Sequence, residues 1–134
     1  AEKTLIIFTS DNGGHKTIHK RFQTSGPLRG FKRELYEGGI RVPFIARWPG
    51  RIPAAETSDE VIAFQDMLPT FATLADLKHG KVDGIDVSAA LLGGKLSKKR
   101  GYLYWDYGHC RGKRYSCRLP AGFSGDPLPF ACGR

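Results

Sequence analysis

No stretch of the 134-residue sequence comes near the ~20 apolar residues that a membrane-spanning helix needs, so no membrane span is expected. A charged n-region leading into an apolar h-region is also missing, so no signal peptide is read. The chain opens at Ala1-Glu2-Lys3-Thr4, one step before a strand, and this absence therefore sets no destination. Cysteine is missing until Cys110, then recurs at Cys117 and Cys132. The odd count leaves at least one thiol unpaired within the chain, and spacings of seven and fifteen match no zinc pattern. Acidic residues are scarce, 13 against 21 lysines and arginines, for a net charge of +8. A basic surface suits nucleic acid, acidic polysaccharide or sulfated glycan. The basic clusters His15–Arg21, Lys95–Arg100 and Arg111–Arg118 come without an interleaved aromatic motif, so nucleic acid is not expected and a solvated basic face is the plainer reading.

What is present begins with Leu5-Ile6-Ile7-Phe8, an apolar run of β-formers that reads as a strand buried on both faces, as in a parallel sheet covered by helices. In open α/β sheets the ligand site lies beyond the carboxyl ends of the strands. Asp11 and Asn12 fall at that end, and Gly13-Gly14 let the backbone bend behind them. An Asp-Asn pair offers oxygen atoms, the donors a hard cation such as calcium or magnesium takes. Calcium needs roughly 6–8 of them, so two side chains do not complete a site. The same residues also fit an ordinary Asx turn.

Further along come Gly26-Pro27-Leu28-Arg29-Gly30-Phe31-Lys32 and Glu37-Gly38-Gly39-Ile40-Arg41-Val42-Pro43-Phe44-Ile45-Ala46-Arg47-Trp48-Pro49-Gly50. With Phe8-Thr9-Ser10-Asp11-Asn12-Gly13, these segments resemble the sulfatase family, the arylsulfatase-like sulfuric ester hydrolases with the alkaline-phosphatase-like fold. The patterns F-[ST]-S-D-N-G, G-P-L-R-G-x-K and E-G-G-x-R-V-P-x-I-x-x-W-P-G are met in order, and the resemblance covers about residues 4–107. It implies an α/β fold, part of a sandwich with a mostly parallel central sheet, followed by the start of a small C-terminal antiparallel subdomain. It implies three stretches: residues 1–77 as a late segment of the catalytic domain, 78–108 as a connection into the subdomain, and 109–134 as an irregular tail, out of frame or disordered.

The resemblance also implies a chemistry. Sulfatases use a formylglycine nucleophile, made from Cys or Ser in C/S-x-P-x-R, whose hydrated aldehyde attacks sulfur with a calcium or magnesium ion orienting it. On that pattern Asp11 and Asn12 are metal ligands, and Lys32 is the catalytic, substrate-binding lysine that holds the sulfate. None of the three cysteines has C/S-x-P-x-R neighbours, so the isolated chain is expected to be inactive. The expected partner is a sulfate-ester small molecule or a sulfated glycan. Family members work in periplasmic, secreted or lysosomal settings. A phosphoester or phosphonate hydrolase of the same superfamily and a non-catalytic basic anion-binding remnant are the competing readings. Nothing in the sequence sets an oligomeric state.

The remaining segments read as scaffold. Residues 13–30 show no lasting period and read as a loop. His15 and His19, four apart, would share a helix face, but surface histidines are the plainer reading. Glu37 and Arg41 pair across a turn into a strand over Ile40–Trp48. Val61–Leu77 contains a helix with Asp66 as cap, Pro69 in the first turn, and Met67, Leu68, Phe71, Leu74 and Ala75 as the apolar face against the sheet. Gly80–Gly94 is a connection anchored by Leu91-Leu92, Lys95–Arg100 a basic linker, and Tyr102–Trp105 a strand.

Overall fold

The protein is seen in a computed structural model, which describes residues 2–96, 98, 100–110 and 113–120. The chain divides into two compact units, Ala1–Ile7 with Ala46–Gly101 and Phe8–Ile45 with Tyr102–Arg134. In chain order the elements are β1 (Ile6–Thr9), α1 (Lys16–Phe22), α2 (Glu37–Ile40), β2 (Phe44–Arg47), a 3₁₀ turn (Phe64–Asp66), α3 (Met67–Leu74), α4 (Ser88–Leu91), β3 (Tyr102–Cys110) and β4 (Lys113–Pro120).

β1 and β2 pair as a two-stranded sheet. The expected burial of β1 on both faces is not observed: Ile6 is 50% and Phe8 63% exposed, and Ile45 of β2 is 61% exposed. Among the described residues no third strand joins this pair. The strand over Ile40–Trp48 is also shorter than expected. Its first residue belongs to α2, and pairing begins at Phe44 after Pro43.

The loop expected over residues 13–30 contains a helix. His15 sits in extended conformation at the start of α1 and its ring Nδ1 accepts from Thr17 N at 3.3 Å. Gln23 ends α1 in the left-handed conformation, φ 46°. Neither residue is a usual letter for its place, where Ser, Thr, Asp or Asn opens a helix and Gly closes one.

In the unit holding residues 46–101, α3 is shorter than expected and presents a different face. Pro69, Thr70 and Ala72 are buried, whereas Leu68 and Phe71 are 58% and 42% exposed. Asp66 does not cap α3 with its side chain. Its carboxylate is fully buried, accepts from Ala63 N at 2.8 Å and Ile85 N at 2.9 Å, and pairs with the Arg100 guanidinium. Arg100, expected in a basic linker, is thus a structural anchor with 10% of its side chain exposed. Thr70 Oγ1 accepts from Val87 N at 2.9 Å, and Val87 is fully buried. The Leu91-Leu92 anchor is looser than expected, since Leu92 is 38% exposed.

β3 and β4 form an antiparallel pair, with Leu103 opposite Leu119 and Trp105 opposite Cys117, and a register shift between Asp106 and His109. Along β3, Leu103 is buried while Tyr102 and Tyr104 are exposed, the alternation the sequence suggested. The irregular stretch expected from residue 109 needs correcting where it is described. Tyr115, Cys117 and Leu119 alternate with Arg114, Ser116 and Arg118, a strand period carried by β4. Residues 121–134 of that expected tail lie outside the described residues. Among the described residues no helix is long and apolar enough to cross a membrane.

Candidate active site

β1 ends at Thr9, and Ser10 Oγ donates to Asn12 O at 2.8 Å across the bend that carries Asp11 and Asn12. Past this bend the site is built of backbone laid on backbone. Gly13 N donates to Gly39 O at 2.9 Å, Lys32 N to Gly14 O at 2.9 Å, and Gly38 N to Arg29 O at 2.7 Å. A Cβ on Gly13 would run into the Gly38 carbonyl, and one on Gly39 into the carbonyls of Glu34 and Phe31. The two glycines of α2 are therefore required by close approach, which explains a helix that propensity would not favour. Ser25 Oγ adds a bond to Gly38 O at 3.3 Å.

Side chains then brace the arm that bears Lys32. The Arg29 guanidinium lies 4.0 Å over the Tyr36 ring and donates to Tyr36 Oη at 3.0 Å. Glu34 Oε2 accepts from Phe31 N at 3.2 Å, and the His19 ring meets Phe31 edge-on at 4.7 Å. Glu37, nearly buried, holds Arg41 at 3.6 Å, the pairing read from the sequence.

These segments surround an open depression of ≈ 640 Å³. Asn12, His15, Lys32 and Arg41 all line it, and among the described residues no acidic side chain does. Of the residues picked out in the sequence, Asn12 and Lys32 are brought together here; Asp11 is exposed and lies outside the lining. His15 and Arg41, read from the sequence as surface and structural residues, stand beside Lys32 in the lining. Arg41 could have been found from its place in the E-G-G-x-R motif; His15 carried no such signal. His15 and His19 do not converge on a metal. His15 Nδ1 lies 2.8 Å from Thr17 Oγ1, and His19 Nδ1 lies 3.4 Å from Thr24 Oγ1.

Residues 1–77 match the family model described as Sulfatase. The chain belongs to the sulfatase family. This sulfatase chain is 43% identical over 109 residues to arylsulfatase A of Homo sapiens, an alignment covering 79% of this chain and 21% of that protein. It is 37% identical over 108 residues to N-acetylgalactosamine-6-sulfatase of Canis lupus familiaris, covering 78% of this chain and again 21% of the relative. It thus spans about a fifth of the length of these curated relatives. The crystal structure of Ps i-CgsB in complex with k-i-k-neocarrahexaose superposes with a TM-score of 0.74 at 29% identity, covering 90% of this chain and 26% of that one.

The donor types of Asp11 and Asn12 suit the divalent metal that the family implies. Both offer oxygen, and the bend between Thr9 and Gly13 presents them at a strand end. They would supply only part of a shell that takes roughly 6–8 oxygens for calcium. Among the described residues no group of three or more His, Cys, Asp or Glu is placed to complete it.

Proposed function

We propose that this chain is the sulfate-binding part of a sulfuric ester hydrolase active centre. The observation that carries the reading is the tethering of Lys32 to Gly14 by a 2.9 Å backbone bond, in a depression shared with Asn12 and free of acidic side chains among the described residues. A lysine ammonium is a compact charge that holds an anion without needing a planar partner. On this proposal Lys32 grips a sulfate oxygen and offsets the charge that builds on the leaving oxygen during cleavage. Arg41, with 64% of its side chain exposed and a loose 3.6 Å pairing to Glu37, is free to turn a guanidinium toward the same anion.

Asp11 and Asn12 would hold calcium, or magnesium, which when bound neutralises charge on the sulfate oxygens. The formylglycine nucleophile is not assigned within these residues: none of the three cysteines has C/S-x-P-x-R neighbours, and Ser25, which opens the run Ser25-Gly26-Pro27-Leu28-Arg29, is buried with its Oγ donating to Gly38 O at 3.3 Å. The chain by itself is therefore proposed to bind without turnover. Residues 1–77 would belong to the catalytic domain, 78–108 to the connection, and β3–β4 to the small antiparallel subdomain. β1 and β2 would join a larger, mostly parallel sheet of an alkaline-phosphatase-like sandwich. The exposure of Ile6, Phe8 and Ile45 supports that, as does the match to a quarter of a longer solved chain. The sugar ligand of that neighbour and the N-acetylgalactosamine-6-sulfatase relative support a sulfated saccharide as substrate, and the arylsulfatase A relative supports an aryl ester as the second reading.

The test is titration of inorganic sulfate and calcium into the chain, read by backbone amide shifts. Sulfate should move Lys32 and Arg41, calcium should move Asp11 and Asn12, and Lys32→Gln should abolish the sulfate response. Phosphate moving Lys32 more strongly than sulfate would favour a phosphoester hydrolase. Sulfate-ester turnover by the chain alone would refute the proposed division of labour.

A further inference from the structure

We propose that α1 is a second anion-binding element, which reads the additional sulfates of a multiply sulfated saccharide whose reacting sulfate sits at Lys32. The inference rests on the sulfate-ester reading above and names the substrate class more narrowly.

The sequence places no acidic residue between Asp11 and Glu34. Within that interval His15-Lys16-Thr17-Ile18-His19-Lys20-Arg21 concentrates the basic residues, and Lys16–Arg21 fold into α1. His19, Lys20 and Arg21 lie in the last turn and suit the helix dipole, but Lys16 does not serve the helix. Lys16 lies in the first turn, against the positive end of the helix dipole, and Lys16 and Lys20 are like charges four apart on one face. A helix built for its own stability would carry an acid there, and the first turn of α1 has none.

Among the described residues no carboxylate pairs with these charges: Lys16, Lys20 and Arg21 are exposed, and the ion pairs at Glu37–Arg41 and Asp66–Arg100 involve other residues. Arg21 lies over the Phe22 ring at 5.2 Å, and Phe22 is itself 62% exposed. An exposed ring beside unpaired cations suits a sugar, which presents an apolar face and anionic substituents together.

Placement supplies the link to Lys32. His15 and Thr24, the residues that flank α1 and Gln23, both line the depression that Lys32 lines. Thr24 Oγ1 donates to His15 O at 3.4 Å and so closes the segment on itself. The helix therefore stands as an arch on the rim, roughly 10 Å long by its rise per residue. A saccharide with one sulfate at Lys32 would lay its neighbouring units along that arch.

The experiment measures affinity of the full chain, by calorimetric titration, for a tetrasaccharide sulfated on every sugar and for the matching monosulfated monosaccharide. The variants are Lys16→Gln, Lys20→Gln and Arg21→Gln combined, and Lys32→Gln alone. Gln keeps helix propensity close to that of Lys and Arg, and circular dichroism checks that the combined variant stays folded. The combined variant should lose roughly tenfold in affinity for the tetrasaccharide, a few-fold for each exposed contact, and nothing for the monosaccharide. Added salt should shrink that difference. Equal losses for both probes, no loss for either, or no binding of the tetrasaccharide by the unmodified chain would overturn the proposal. So would a single-stranded oligonucleotide of matched charge that binds as tightly and loses as much in the combined variant. Should Lys32→Gln leave both affinities unchanged while the α1 substitutions act on the tetrasaccharide, the role of Lys32 falls and the α1 element stands.

Discussion

Residues 46–101 and residues 8–45 bring distant chain segments together with opposite materials. In the first, buried side chains do it: Asp66 joins Ala63, Ile85 and Arg100, and Thr70 holds Val87. In the second, backbones do it: Gly13 lies on Gly39, Lys32 on Gly14, and Gly38 on Arg29. The difference has a functional consequence. A region stitched by side chains spends its polar groups on itself. A region stitched largely by glycine backbones leaves the Asn12 and Lys32 side chains to face a ligand in the depression. Each substitution that distinguishes the two materials tests the contrast.

The largest effect is expected at Asp66. Asp66→Ala removes a buried carboxylate and strands the Arg100 guanidinium and two backbone donors. Losing one partner of a buried pair costs about 3–5 kcal/mol, which a denaturant titration of the full chain would read as a lowered midpoint. Sulfate shifts at Lys32, measured where the variant is still folded, should persist. Loss of those shifts in a folded variant would show that the two regions are not independently built.

Gly39→Ala is the converse. Its Cβ would overlap two backbone carbonyls, so the segment must move, at about 1–3 kcal/mol. Here sulfate binding should fail before stability does, because the shift opens the Gly13–Gly39 bond under the site. Gly80→Ala is the control: nothing lies within 4 Å of its Cβ position, and binding and midpoint should both stay unchanged.

Thr70→Val sharpens the comparison with a smaller change. The shape is kept and a single acceptor is lost, leaving Val87 N buried without its partner. The expected cost is about 1–3 kcal/mol, with no change in sulfate affinity. A neutral result would mean that the packing around Val87, and not the polar stitch, holds α3 to residues 85–88.

The two materials also differ in how far they could be read in advance. The juxtaposition of Asn12 and Lys32 was legible because the letters around them sit in fixed local order, and local order is what a sequence displays; Asp11, read with them, lies outside the depression. The Glu37–Arg41 pair, four residues apart, was legible for the same reason. Asp66 was not. Two of its three partners lie 19 and 34 residues away, so a local reading made it a helix cap. α1 was missed because His15 and Gln23 occupy cap positions that other residues usually hold. β4 was missed because cysteine and arginine composition obscured the alternation of Tyr115, Cys117 and Leu119. The exposed faces of β1 and α3 were misread for another reason. Apolar periodicity marks a face that some surface covers, and it does not say which chain segment provides that surface.

The smallest effect concerns pH and falls wholly on the side-chain-stitched region. Burial pushes the Asp86 carboxyl up, but hydrogen bonds from Ser88 N and Oγ and from Thr73, with the charge of His79, outweigh it and hold the carboxyl below its ordinary value of 3.8. A lowered native value means that the folded state favours the ionised form. The resulting stability is complete above the unfolded value of 3.8 and disappears as pH falls through the lowered native value. Asp86→Asn should therefore cost a little stability at neutral pH and flatten the acid limb of the unfolding midpoint against pH. The Asp86 Oδ1 bond from Ser88 N, 2.8 Å long, opens α4 one residue after Val87, the residue that Thr70 holds. In the double variant Thr70→Val, Asp86→Asn the two losses should therefore be coupled, since both groups fix the same stretch of backbone. Strict additivity would mean that the two bonds act on separate segments, and that these two side-chain stitches of residues 46–101 do not reinforce one another.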